Sequence, residues 1–401
     1  MTDNRKLQLD DLLSGLKSEG EVVSSDADFT LHHSKAKEKL KKFQLSNPFF
    51  YILKLVQSAV LSEATKIEVE CSPHQVSLSH DGELPSSGEL QELLNFVFQV
   101  DHEVGRHTRS LKRLASAVNT AVSAHARELS IECHGNEEAY SQTWSASGAE
   151  FRELTPGKFR GLRFLLKRKP GDVVSSIRHV GGTRIVDLVQ GTRNSMQKEE
   201  AALRDRAVFC STPIFLDGEQ LNRTSFGAPR YPEYEGNKER KVPFFCWVNN
   251  RDHYVGRAGH NRYHVIQAYI KAQEGQQSSL LAPERFNSFL VSEIHPHNAG
   301  EACGMMIGLE LARKYPSRVN FIAEGVFIQQ EQYAKIPRGL FALVSADHLR
   351  TDLSGFQLTK SGNYLTCMEA FADVASGLIQ EARHRNSEIP FEAVSGRFAR
   401  F

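Results

Sequence analysis

NPFFYILKLVQSAVLSEATKIEVECSPHQVSLSHDGE, residues 47–83, reads as one helix followed by two strands. Ser46 or Asn47 can cap the helix, and Pro48 suits its first position. From residue 67 to residue 78, apolar and polar residues alternate on both sides of a Ser-Pro-His turn, which predicts a β-hairpin. The second strand runs into Asp81-Gly82. The apolar face of the predicted helix consists of Ile52, Leu55, Val56, Ala59 and Val60.

This order of helix, hairpin and acidic-glycine turn resembles the first half of the GHKL ATPase fold. That superfamily contains the heat-shock-90 chaperones, the MutL repair proteins, type II topoisomerases and histidine kinases. The family's A-T-x-I element resembles residues 64–67, ATKI, and counting back from it aligns the preceding helix. The resemblance, closest to the heat-shock-90 chaperones, implies an α+β fold. A GHKL-type sandwich, with a mixed, mostly antiparallel sheet and helices on one face, would precede a second α/β domain like the chaperone middle domain or the topoisomerase transducer.

The alignment departs from the family at the positions that hydrolyse ATP. Lys54 stands where the family has its catalytic Glu, and an ammonium group does not take a proton from water. Ser58 stands where the family has its metal-holding Asn, and a hydroxyl is a weaker Mg²⁺ ligand. The adenine-binding Asp falls on His80, or on Asp81 if the turn has slipped by one residue, with Gly82 following. The resemblance therefore implies an ATPase fold with no catalytic residue and no metal site.

The phosphate side of the implied pocket has also changed. Ser116-Ala117 resembles the S-A pair that follows the family's glycine-rich turn, but Leu111 and Arg113 replace the glycines. Glycines let backbone amides approach a phosphate closely, and here cationic side chains occupy the segment instead. These cations either bind phosphate or form a solvated charged turn, and we expect the turn. They are Arg106, Arg109, Lys112 and Arg113.

Three later segments resemble family elements. Residues 181–183, GGT, resemble the start of the strand that closes the chaperone nucleotide domain, where the Thr lies beside the adenine. Residues 347–354 resemble a loop of the chaperone middle domain, with Gly355 in place of its phosphate-reaching Arg. Lys360 lies near the pattern of the topoisomerase Q-T-K lysine, which contacts the γ-phosphate. The structural alternatives are a tight turn at 181–183 and an ordinary surface lysine at 360.

The resemblance therefore gives a set of candidate residues and an expectation for ligand binding. We expect ATP or ADP to bind weakly, with Mg²⁺ disfavoured. The candidate nucleotide-binding residues are Ser58, His80, Asp81, Gly82, Ser116, Gly181, Gly182, Thr183 and Lys360, with Arg109, Lys112 and Arg113 on the phosphate side.

Composition restricts the class of protein. A formal net charge of +1 over 401 residues gives no support to a nucleic-acid-binding role. The six cysteines are scattered without metal-ligand spacing, which indicates reduced thiols in a cytoplasmic protein. No apolar run is long enough to predict a membrane span. The predicted organisation is an N-terminal helical extension (1–24), an ATPase-like domain (25–192), a connecting helix (193–209) and a second domain (210–401).

Two function classes follow from the resemblance. The first is a chaperone-like or scaffolding protein with a degenerate nucleotide pocket, which acts on protein clients or partners. The second is an ATP-binding switch or slow ATPase that uses Lys360 or the cations at 106–113 on the phosphates. Both function classes are compatible with a homodimer, and neither involves a membrane.

Overall fold

The structure of the chain is a computed structural model, and the part that it describes contains two β-sheets and the helices beside them. The first half of the described chain, within residues 45–222, contains the first sheet, and the second half, within residues 265–388, contains the second sheet. Strands and helices are mixed in both halves, so the α+β class is confirmed at that level. The predicted N-terminal extension and the GGT segment at 181–183 lie outside the described residues. The described residues are 45, 47–99, 104–124, 126–168, 196–222, 265–274, 276, 278–281, 290–291, 294, 301–310, 317–332, 340–352 and 354–388.

The predicted helix and hairpin are confirmed. The Asn47 side chain accepts a hydrogen bond from the Phe49 amide (3.0 Å) and opens a 3-10 turn, Pro48–Phe50, which runs into helix α1, Tyr51–Leu61. Strands β1, Ile67–Cys71, and β2, Gln75–His80, then pair antiparallel. Helix α1 is buried on both sides. Ile52, Leu55, Val56 and Ala59 of the predicted apolar face are buried, and Gln57 on another side donates a hydrogen bond to the second half of the chain.

The apolar residues between 88 and 100 predict a single helix, but the structure divides the segment after β2 into two short helices. A short helix α2, Ser87–Gln91, begins with a capping box between Ser86 and Glu89, and a separate 3-10 helix, Leu93–Phe98, follows it. Helix α3, Arg106–Ala124, comes next and packs beside α1. The alternating residues between 129 and 166 predict four strands in an antiparallel meander. The four strands are present and pair antiparallel, but β6 pairs with β3 and not with β5, so the meander order is wrong. They are β3, Ala126–His134; β4, Ala139–Ser145; β5, Gly148–Leu154; and β6, Gly161–Arg168.

A buried ionic contact ties the connecting helix α4, residues 196–206, to the first sheet. Glu199 of α4 accepts hydrogen bonds from Arg168 at the end of β6 and from the Tyr51 hydroxyl (2.6 Å) at the start of α1. Both partners of the Arg168–Glu199 ion pair are buried. Burial and the neighbouring Glu199 carboxylate raise the pKa of Tyr51 well above its ordinary value. The charge on Glu199 is therefore compensated inside the first half of the chain.

The first sheet extends beyond the predicted boundary at residue 210. Strand β7, Ile214–Leu216, pairs parallel with β1, and β8, Glu219–Gln220, pairs antiparallel with β7, although the sequence prediction assigns both to the second domain. The buried Asn222 fixes this segment, because its side chain bonds the Ile214 amide and the Cys210 and Thr212 carbonyls, each at 2.6 Å. The strand order is β5-β4-β3-β6-β2-β1-β7-β8.

The second sheet consists of strands β9, Val265–Lys271; β10, Leu290–Val291; β11, Cys303–Glu310; β12, Arg318–Ala323; β13, Val326–Gln332; and β14, Leu340–Ser345. Its strand order is β10-β9-β11-β14-β12-β13. The apolar spacing within residues 364–384 predicts a helix. The structure has helix α5, Gly362–Glu388, which packs on β9 and β11, and Phe371, Ala375 and Leu378 of its apolar face are buried.

None of the described helices is long and apolar enough to cross a membrane.

Candidate functional site

The two positions that the alignment connects with hydrolysis and phosphate contact lie side by side in the structure. Lys54 of α1 is 1% exposed, and its ammonium donates a hydrogen bond to Gln57 Oε1 (2.9 Å). The same ammonium lies 4.3 Å from the centre of the Phe356 ring, a cation–π contact. Gly355 precedes that ring in a left-handed conformation (φ +70°), and a Cβ there would collide with the Lys54 ammonium. Lys54 and Gly355 therefore form one contact between the two halves of the chain.

The cations between residues 106 and 113 lie in a helix, so the expected solvated charged turn is wrong. Helix α3 begins at Arg106, and both Lys112 and Arg113 are buried. The Arg113 guanidinium donates two parallel hydrogen bonds to the Glu324 carboxylate, at 2.6 and 3.0 Å. Arg109 donates to the Asp347 carbonyl at 3.3 Å. The Glu324 carboxylate, from the second half of the chain, therefore compensates the buried Arg113.

The two serines among the candidates make structural hydrogen bonds. The Ser58 hydroxyl bonds the Ser110 carbonyl (3.0 Å), and the Ser110 hydroxyl bonds the Ser58 carbonyl (2.9 Å), which joins α1 to α3. Ser116 lies within α3 and donates to the Lys112 carbonyl one turn earlier (2.8 Å). Ser116 therefore follows a helical segment and not a phosphate-wrapping turn.

The acidic-glycine turn holds the start of the hairpin. Asp81 Oδ1 accepts hydrogen bonds from the amides of Thr65 (2.7 Å) and Lys66 (3.1 Å), and Oδ2 accepts from the Thr65 hydroxyl. Burial raises the pKa of Asp81, but these hydrogen bonds lower it more, so the pKa lies below its usual value. A Cβ at Gly82 would lie 2.6 Å from the Ser62 carbonyl oxygen, so Gly82 permits close packing here.

His80 is buried at the end of β2, immediately before this turn. Burial lowers its pKa from 6.5 to about 4, so the ring is neutral at pH 7. Its Nδ1 accepts a hydrogen bond from the Gly82 amide (3.2 Å), which assigns the proton of the neutral ring to Nε2. His80 thus presents an acceptor to its own turn.

A turn of the second sheet meets helices α1 and α3 at the same place. Gln57 of α1 donates to the Ala323 carbonyl (3.1 Å), next to the Arg113–Glu324 ion pair. Behind the turn, Asp347 Oδ2 accepts from the Ser279 amide (2.6 Å), and Oδ1 accepts from the Glu324 amide. Burial raises the pKa of Asp347 to about 6, although the hydrogen bonds from Glu324 and Ser279 lower it. The contact therefore holds two buried carboxyl groups near the cations of α3.

Sequence reasoning missed Glu324, Gln57 and Ser279. Residues 323–326, AEGV, between two apolar runs carry the signal of a tight turn, but nothing in the sequence indicates that this turn contacts a helix about 210 residues earlier. Among the predicted residues, Lys360 is exposed, shortly before α5. In the part of the chain that the structure describes, no group of three or more His, Cys, Asp or Glu side chains is arranged to hold a metal ion.

The geometry restricts the chemistry that Lys54 can perform. An ammonium held by an amide oxygen and an aromatic face is not a base for an attacking water. A scan against models of known protein families finds no match to this chain, and a search of curated proteins finds none either. The GHKL resemblance thus depends on the motifs of the sequence alone.

Proposed function

We propose that the chain is a GHKL-type protein, nearest to the heat-shock-90 chaperones, that has lost ATP hydrolysis and acts as a chaperone-like or scaffolding protein through protein contacts. The observation that carries the proposal is the Arg113–Glu324 ion pair. Arg113, a phosphate-side candidate, is buried and bound in bidentate fashion by a carboxylate of the same chain. A nucleotide phosphate would have to displace that carboxylate, and truncating one partner of a buried pair is costly.

The remaining positions support the same proposal. Lys54 replaces the base of the family, Ser58 is bonded to Ser110, and both Asp81 oxygens accept bonds from residues 65 and 66. Each contact uses a polar group that a nucleotide or its metal ion would need. We therefore infer weak or absent nucleotide binding, no requirement for Mg²⁺, and a function that does not depend on turnover.

A second candidate function, the ATP-binding switch, is favoured by one observation. Lys360 is exposed and lies five residues after Gly355, which contacts Lys54. Lys360 belongs to the second half of the chain, and from there it could contact a bound phosphate while the buried cations stay with their partners. Such a contact would make the second half of the chain a sensor of bound nucleotide, as the topoisomerase-like pattern implies.

Turnover separates a hydrolysing enzyme from the proposed protein. We expect ATP hydrolysis by the purified chain to be absent, or so slow that Lys54→Met leaves it unchanged. A general base commonly contributes roughly 10²–10⁴-fold in rate, so loss of a true base would be evident. Circular dichroism of the variant is the control for folding. Turnover that disappears in a folded Lys54→Met protein would contradict the proposal.

A client assay tests the proposed activity itself. We expect the chain to reduce light scattering from a heat-unfolded reporter protein to the same extent with and without ATP. An inert protein of similar size at the same concentration is the control. Protection that appears only with ATP would favour the switch. No protection at all would contradict the chaperone-like function and leave the scaffolding function.

A further inference from the structure

The turn Ala323–Val326, between β12 and β13, fills a tight space between the two halves of the chain. Its Ala323 carbonyl accepts a hydrogen bond from Gln57 of α1 (3.1 Å). A Cβ at Gly325 would lie 2.6 Å from the Cys210 sulfur and 3.1 Å from a Val60 methyl group, and Gly325 has φ +78°. The turn therefore covers Cys210 and Val60, which belong to the first half of the chain.

The turn is preformed within the second half. Glu324 has a left-handed backbone (φ +52°), which is unfavourable for a residue with a side chain. Its amide donates to the Asp347 carboxylate, and the Gly325 amide donates to the Ser279 hydroxyl (2.8 Å). Since Asp347 and Ser279 are also bonded to each other, the turn keeps its shape by contacts inside its own half.

The charged contact across the junction is specific in its geometry. Arg113 and Glu324 form two parallel hydrogen bonds, and the side chains are 8% and 4% exposed. A buried ion pair adds little net stability over an apolar pair, but leaving one partner alone is strongly unfavourable. Such a pair selects one arrangement of the elements that it joins. The strands described in the two sheets make no pairing across the junction, so each sheet keeps its own hydrogen bonds if the contact opens.

We propose that the Ala323–Val326 turn is a latch, which closes the junction through Arg113–Glu324 and releases the two halves as folded units. In the open form, Gln57 and Arg113 face solvent, and Cys210 loses the cover of Gly325. The latch concerns the arrangement of the chain and not nucleotide binding, so its test is independent of the proposed function. It gives a scaffolding protein two states with different exposed surfaces.

The thiol of Cys210 reports on the latch. Cys210 is 1% exposed and lies directly under the turn, whereas Cys133 is buried in β3 and Cys367 in α5. We expect Glu324→Met and Arg113→Met each to increase the rate of iodoacetamide labelling at Cys210 by roughly 10²-fold, because each removes one partner of a buried ion pair. Mass spectrometry of peptides should show Cys133 and Cys367 still protected. The double variant Arg113→Met/Glu324→Met should restore slow labelling.

Matched variants of the exposed Glu150–Arg152 pair in β5 are the control. Its side chains are 59% and 66% exposed, so Glu150→Met and Arg152→Met should leave all three thiols at their wild-type rates. If a single latch variant fails to fold, the wild-type chain still tests the latch, since Cys210 should label faster than Cys133. Equal labelling rates at Cys210 and Cys133 in the wild type, or simultaneous exposure of all three thiols in the single variants, would overturn the latch.

Discussion

His80 shows how one buried side chain can make stability depend on pH. Burial lowers its pKa from 6.5 to about 4, so the folded state keeps the ring neutral in a range where the unfolded state takes up a proton. The stabilising contribution is complete above pH 6.5 and is lost as the pH falls towards 4. Asp347 acts in the opposite sense, because its pKa is raised to about 6 and the folded state gains its proton first.

Comparison with His80→Asn isolates the contribution of His80, since the Asn oxygen can replace Nδ1 as the acceptor of the Gly82 amide. The difference in free energy of unfolding between wild type and variant should fall by up to roughly 3 kcal/mol between pH 6.5 and pH 4. Urea denaturation at a series of pH values measures it, and the Asp347 contribution cancels in the difference. A difference that does not change with pH would mean that His80 is not buried as the structure has it.

The close contact between Gly355 and Lys54 should make the protein sensitive to a side chain at position 355. Gly355→Ala should reduce the free energy of unfolding by about 1–3 kcal/mol, because the residue has φ +70° and its Cβ would meet the Lys54 ammonium. Gly362→Ala, at the start of α5 with open space around its Cβ position, is the matched control. Thermal or urea unfolding of both variants gives the comparison. Equal stability of the two variants would argue against the contact between Lys54 and Gly355.

The burial of apolar residues could be predicted from the sequence better than the burial of polar ones. The spacing of Ile52, Leu55 and Ala59 predicts an inward-facing side of α1, and these residues are buried. The burial of Lys54 and Gln57 on the other side could not be predicted, because it depends on Phe356 and on the turn at residue 323, which are remote in the sequence. Long-range partners decide the burial of a polar side chain, and local periodicity carries no information on them.

Among the elements, β7 gives the sharpest difference between sequence and structure. An apolar run followed by Asp-Gly predicts the strand and its turn, and both are present at 214–220. The pattern does not specify which sheet the strand joins. That choice follows from the parallel pairing with β1 and from Asn222, whose side chain bonds three backbone groups of the segment.

Asn222→Ala should therefore weaken the attachment of β7. The change leaves one amide and two carbonyl groups in a buried segment without their partner, which should cost roughly 2–4 kcal/mol in the free energy of unfolding. Hydrogen exchange should rise at β7 before it rises at β6. Asn95→Ala, at an exposed position in the 3-10 helix, is the control. Unchanged exchange at β7 would show that the strand pairing alone holds it.

In the whole molecule, the first sheet depends on residues that follow the domain boundary predicted from the sequence. The sequence boundary predicts that a fragment of residues 1–195 folds, but such a fragment lacks Glu199, which compensates Arg168, and β7, which pairs with β1. A fragment of residues 1–222 contains both. We expect circular dichroism and a cooperative thermal transition from fragment 1–222, and a less stable or unfolded 1–195. A fully cooperative 1–195 fragment would restore the original boundary.

We propose that contacts within the chain occupy the phosphate end of a GHKL-type pocket. Isothermal titration calorimetry of the full chain and of Lys360→Ala with ATP and ADP, each with and without Mg²⁺, measures whether that end still binds a ligand. Since Arg113 is bound to Glu324 and Ser58 to Ser110, we expect weak or undetectable binding, little preference between ATP and ADP, and no effect of Mg²⁺ or of Lys360→Ala. Tight, Mg²⁺-dependent binding of ATP that is lost in Lys360→Ala would refute this proposal and make the protein an ATP-driven switch.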